Sequence, residues 1–97
     1  MSKKVGLEEN LIKLFGSVSR ARILSFLYAF AGQSFYQREI MYETSLVPGA
    51  VQRELENLTS LGIVKVQKTR NRVYYETNCD SPFFKPLGEI YGLISGR

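Results

Sequence analysis

Residues 37–61, QREIMYETSLVPGAVQRELENLTSL, decide how the rest of this chain is read. The stretch predicts two helices joined by a short turn. Gln37 to about Thr44 is the first, with Ile40 and Met41 as its core contacts. Thr44-Ser45-Leu46-Val47 makes the turn. Pro48 then opens the second helix, where a missing backbone N–H costs nothing. Val51, Leu55 and Leu58 recur at helical spacing, so they share one face, and Leu61 extends it. Gln52, Arg53, Glu56 and, more laterally, Gly49 fall on the opposite face. Gly62 stops the helix.

Downstream, Ile63 to Gln67 and Arg72 to Thr77 are β-branched and aromatic runs that predict a hairpin. Its turn centres on Arg70-Asn71, where asparagine tolerates the left-handed conformation that tight hairpins need. Lys65, Lys68, Arg70 and Arg72 lie along it with no acid between them. On a two-residue alternation Lys68, Arg70 and Arg72 share one side around the tip. After a polar loop at 78–82, Phe83 to about Ser95 is a last helix, with Leu87, Ile90, Tyr91 and Ile94 on one stripe.

Upstream, Leu7, Leu11, Leu14 and Phe15 mark a first helix over residues 7–15, ended by Gly16. Ser17 caps a second helix, since its hydroxyl accepts an orphan backbone N–H. That helix runs to about Ala31, with Ile23, Leu24, Leu27, Phe30 and Ala31 as its apolar face and Gly32 as its stop. Ser34, Phe35 and Tyr36 read as a short extended piece. The order of elements predicts an α+β, mainly helical fold of about five helices with a β-hairpin wing, a winged helix-turn-helix. One domain over 1–97 is expected, with 7–15 and 83–95 as flanking helices.

A major groove, about 12 Å wide, accepts one helix whose outer face is small or polar at its N-terminal end. The helix at about 48–61 meets that condition through Pro48, Gly49, Gln52 and Arg53. Glutamine can pair with adenine and arginine with guanine, each bidentately. Gln37 and Arg38, at the start of the preceding helix, suit phosphate. The cations of the ribbon at about 63–77 would add affinity and register. The bland rival is an ordinary solvated face, with Glu54 and Glu56 as partners of Arg53 and Gln52.

The totals agree with a small binding domain. The chain has 97 residues, a net charge of +4, 44% hydrophobic residues, one cysteine (Cys79), no histidine and one aspartate (Asp80). Histidine-based catalysis is excluded, and a soft-metal site of three or four thiolate or imidazole ligands is not available. Glu39 and Glu43, one turn apart, read as a solvated pair. Cys79 reads as an unused thiol. No cofactor and no metal are expected. No apolar run spans a membrane, the N-terminal MSKK is not followed by a signal-peptide core, and the expected location is the cytoplasm. The apolar surplus of Leu7, Leu11, Phe15, Leu87, Ile90, Tyr91 and Ile94 favours a two-fold homodimer. Such a dimer would set two recognition helices about 34 Å apart, one turn of DNA.

Three segments carry a family resemblance. SVSRARIL (17–24) resembles the start of the second helix in arsenical-resistance-repressor (ArsR-type) winged-helix regulators. LVPGAVQRELENLTSLGIV (46–64) resembles their recognition helix and its exit into the wing, and NRVYYETN (71–78) the returning wing strand. The pattern is also similar to winged-helix domains fused ahead of prokaryotic nucleotidyltransferases. The resemblance covers roughly residues 11–80 and implies a prokaryotic, dimeric transcriptional regulator of double-stranded DNA, without the metal-sensing residues. Carried onto this chain, its recognition positions are Pro48, Gly49, Gln52 and Arg53, and its wing positions Lys68, Arg70, Asn71 and Arg72. The first and last helices would form the dimer interface. Where the family often has a capping serine this chain has Val47. An effector is left open. The alternative reading is a winged-helix protein-interaction module or adaptor that does not read DNA sequence.

Overall fold

A computed structural model describes residues 7–94, with side-chain placement for residues 9–92. Residues 1–6, the side chains of Leu7 and Ile94, and Ser95 lie outside the described residues. Helix α1 (Leu7–Phe15) leads into α2 (Val18–Ala29), α3 (Gln37–Thr44) and α4 (Pro48–Ser60). The hairpin β1 (Val64–Lys68) and β2 (Val73–Thr77) follows, then α5 (Phe84–Ile94).

Local chemistry accounts for most boundaries. Gly16 leaves α1 at φ +69, and the Ser17 hydroxyl accepts the Arg20 N–H at 3.0 Å to start α2. Helix α2 stops two residues earlier than expected. Phe30 is its C-cap, Gly32 follows at φ +97, and Phe30 and Ala31 are exposed rather than part of the apolar face. Ser45, at φ +58, makes the sharp exit from α3. Val47 begins α4 with its backbone alone: its carbonyl accepts the Ala50 and Val51 N–H groups, and its side chain offers no cap. Gly62, at φ +78, turns the chain from α4 into β1.

The core is formed by Ile23, Leu24 and Leu27 of α2, Ile40 of α3, and Val51, Leu55 and Leu58 of α4, closed by Ile63, Val64 and Leu87. Ile40 is fully buried and Met41 half-buried at its edge. Two further residues expected on apolar faces point outward. Leu14 is exposed because it lies a quarter-turn from Phe15, the side of α1 that packs against the core. Leu61 is exposed because α4 has already ended at its C-cap.

The hairpin is antiparallel, with Val64 opposite Thr77 and Lys68 opposite Val73. The extended piece before α3 joins it by one bridge. Phe35 and Tyr75 exchange both backbone hydrogen bonds at 2.8 Å. At the C-terminal end of β2, the buried Thr77 hydroxyl donates to the Leu27 carbonyl at 2.8 Å. That carbonyl lies in the last turn of α2, where helices leave their acceptors unmet. The wing is therefore tied through β2 at two points, its middle to the segment before α3 and its C-terminal end to the last turn of α2.

Candidate nucleic-acid interface

Helix α4 buries Val51, Glu54, Leu55 and Leu58 and exposes Pro48, Gly49, Gln52, Arg53 and Glu56. Glu54 corrects the sequence reading. It does not stand on the outer face beside Arg53; its side chain is 7% exposed and ion-paired with Arg20 of α2 through Nε–Oε2 at 2.5 Å. Spacing alone held this signal, because residue 54 follows Val51 by three and precedes Leu58 by four. The carboxylate concealed it. Arg53 has no ion-pair partner among the described residues.

Lys68, Arg70, Asn71 and Arg72 are all exposed at the wing tip, closed by Thr69 N–H donating to the Arg72 carbonyl at 2.8 Å. The turn does centre on Arg70-Asn71, but Asn71 does not take the left-handed conformation, since Ser45 is the only non-glycine with positive φ among the described residues. The expected common side for Lys68, Arg70 and Arg72 does not hold for Lys68 and Arg72. Lys68 pairs with Val73, on the face of Val66 and Tyr75. Arg72 lies two residues from Tyr74 and reaches it, on the face of Gln67. Alternation counted through the turn fails because the chain reverses there. Lys65 stands opposite Glu76, whose carboxylate accepts from Ser34 and Gln67.

The start of α3 and the wing meet through two tyrosines, Tyr36 of the extended piece and Tyr74 of β2, to which spacing in the sequence assigns no role at the site. The Tyr36 and Tyr74 rings stack with centroids 4.8 Å apart, and their hydroxyls are 3.1 Å apart. Arg38 lies over the Tyr36 ring, 4.9 Å from its centroid, and Arg72 Nη1 is 3.4 Å from the Tyr74 hydroxyl. The hydrogen bond from Tyr36, then that from Arg72, holds the Tyr74 phenol below its usual range. The bond to Tyr74 raises Tyr36, and Arg72 is raised first by Tyr74. The structure thus brings Arg38 and Arg72 into one cluster, with Gln37 half-buried beside it. The local signal was a tyrosine two residues from an arginine in both FYQR and RVYY.

The terminal helices divide. Leu11 and Leu87, expected at a subunit interface, are buried within the chain's own fold. Phe15, Ile90 and Tyr91 are half-buried, and Phe84, Tyr28, Tyr91 and Phe15 form a run of stacked rings 5.5–6.4 Å apart. Among the described residues no helix is long and apolar enough to cross a membrane, and no three His, Cys, Asp or Glu side chains gather as metal ligands.

Helices α3 and α4 joined by a tight turn, with a two-stranded ribbon behind them, match a known architecture. The crystal structure of the oxidised form of MarR from E. coli superposes with a TM-score of 0.67 at 23% sequence identity, over 98% of this chain. The fold is a winged helix-turn-helix. The chain spans 66% of the length of that MarR chain. Comparison with protein families finds no match, and comparison with curated proteins finds none. In that fold's terms α3 and α4 are the helix-turn-helix pair and β1–β2 the wing.

Proposed function

We propose that this protein is a cytoplasmic transcriptional regulator that binds double-stranded DNA as a homodimer. The observation that carries the reading is the outer face of α4. Its N-terminal end is small and exposed at Pro48 and Gly49, and Gln52 and Arg53 project with no ion pair among the described residues. Because Glu54 is drawn inward by Arg20, the acid next to Arg53 does not neutralise it. Gln52 and Arg53 address base edges, where a good bidentate pair is worth about 1–3 kcal/mol of discrimination. Gln37 and Arg38 at the start of α3, together with Lys68, Arg70, Asn71 and Arg72 of the wing, hold phosphate. The terminal helices form the dimer through Phe15, Ile90 and Tyr91, with Leu7 and Ile94 at their ends.

A second reading, a protein-docking module, is favoured by Tyr42 and Val47, 83% and 67% exposed around the helix-turn-helix. Anisotropy of a labelled random duplex at two salt concentrations, with the protein's solution mass measured alongside, separates the two. Salt-sensitive binding by a dimer supports the regulator. A monomer that ignores duplex at low salt overturns it in favour of the docking module.

A further inference from the structure

We propose that Tyr36, Arg38, Arg72 and Tyr74 form one phosphate-gripping unit, in which the tyrosine pair presets the wing against the start of α3. The inference rests on the DNA reading above and adds two positioning residues to it. A flexible ribbon and a helix that each carry one arginine would lose side-chain entropy separately on meeting a phosphodiester. Here that ordering precedes binding. The Phe35–Tyr75 bridge joins the backbones immediately beside both tyrosines, and the stacked rings lock the side chains across the same junction.

The hydrogen-bond directions favour an anion. Either phenol can donate in the Tyr36–Tyr74 pair, but the Arg72 N–H beside Tyr74 makes Tyr74 the natural acceptor. With its oxygen accepting, the Tyr74 proton is free to point outward. Stacking over Tyr36 engages the face of the Arg38 guanidinium and leaves its edge N–H groups for a planar fork on phosphate oxygens. The two nearby carboxylates are engaged: Glu39 accepts the Tyr36 N–H at 2.8 Å, and Glu76 accepts from Ser34 and Gln67. Neither Arg38 nor Arg72 is ion-paired among the described residues. The polyanion that fits is a nucleic-acid backbone held at this junction.

A double-mutant cycle tests it on the full chain, with a random duplex probe and thermal melts to confirm folding. Arg38→Gln and Arg72→Gln should each reduce the slope of log affinity against log salt by about 0.9. Tyr74→Phe should leave the slope at the parent's value and weaken binding about fivefold, the weight of one lost hydrogen bond. In the Arg72→Gln background the same Tyr74→Phe change should cost less than about twofold, because the group it orients is gone. Tyr36→Phe should behave like Tyr74→Phe. A Tyr74→Phe variant that binds like the parent, or whose loss is equal in both backgrounds, overturns the unit while leaving the DNA reading intact. A parent chain that does not bind duplex overturns both.

Discussion

The Arg20–Glu54 pair should respond asymmetrically to removal of its two members. Glu54 is 7% exposed and Arg20 31%. Arg20→Met leaves a carboxylate inside the α2–α4 contact with no cation. Breaking a buried pair in this way costs about 3–5 kcal/mol, and water reaching the partly open arginine side lowers the figure to about 2–3 kcal/mol. Glu54→Leu leaves the guanidinium, whose long stem can swing its charge into solvent while leucine fills the vacated apolar site. That cost should be about 1 kcal/mol or less. A domain of this length has about 5–15 kcal/mol of stability, so the difference is easily read. Urea titration followed by circular dichroism supplies it. The Arg20→Met melting temperature should fall by about 10–20 °C, at roughly 4–8 °C per kcal/mol, and that of Glu54→Leu by a few degrees. Equal losses, or a larger loss for Glu54→Leu, would refute the view that the carboxylate is the trapped member.

Thr77→Val keeps the shape but removes the hydroxyl that meets the Leu27 carbonyl, and should cost about 1–3 kcal/mol in chemical denaturation. Burial, with Cys79 as a smaller contributor, pushes the Tyr28 phenol from 10.0 to about 12. The folded state therefore keeps a proton that the unfolded chain has lost, and stability should decline as pH rises from 10 to 12. Tyr28→Phe should flatten that decline in alkaline melts. Arg53→Ala should weaken a selected operator more than random duplex, whereas equal loss on both would assign Arg53 to phosphate alone.

Helix identities, the hairpin and the fold class were legible because they depend on local spacing and on residues that act through their own backbone. Ser17 capped the helix it was expected to cap, Pro48 opened α4, and Gly16 and Gly62 stand at positive φ where α1 and α4 end, whereas α2 stops at Ala29, ahead of Gly32. The outer face of α4 followed from the inner one. Side-chain chemistry misled at Glu54, where helical spacing had marked an inward position that a carboxylate made implausible until Arg20 supplied its partner.

What only the tertiary structure decided was which distant residues meet. Thr77 and Leu27, Arg20 and Glu54, and Tyr36 and Tyr74 are separated by 50, 34 and 38 positions, and no periodicity links them. The faces of Lys68 and Arg72 depended on hairpin register, since cross-strand pairing, not alternation counted through the turn, sets the side on which a residue stands. By itself the sequence determined the elements and the cations at the wing tip, because propensity, caps and charge are local. Their assembly into one surface required the packing of α2, α3 and the wing, because long-range contacts are chosen by the free energy of the whole fold.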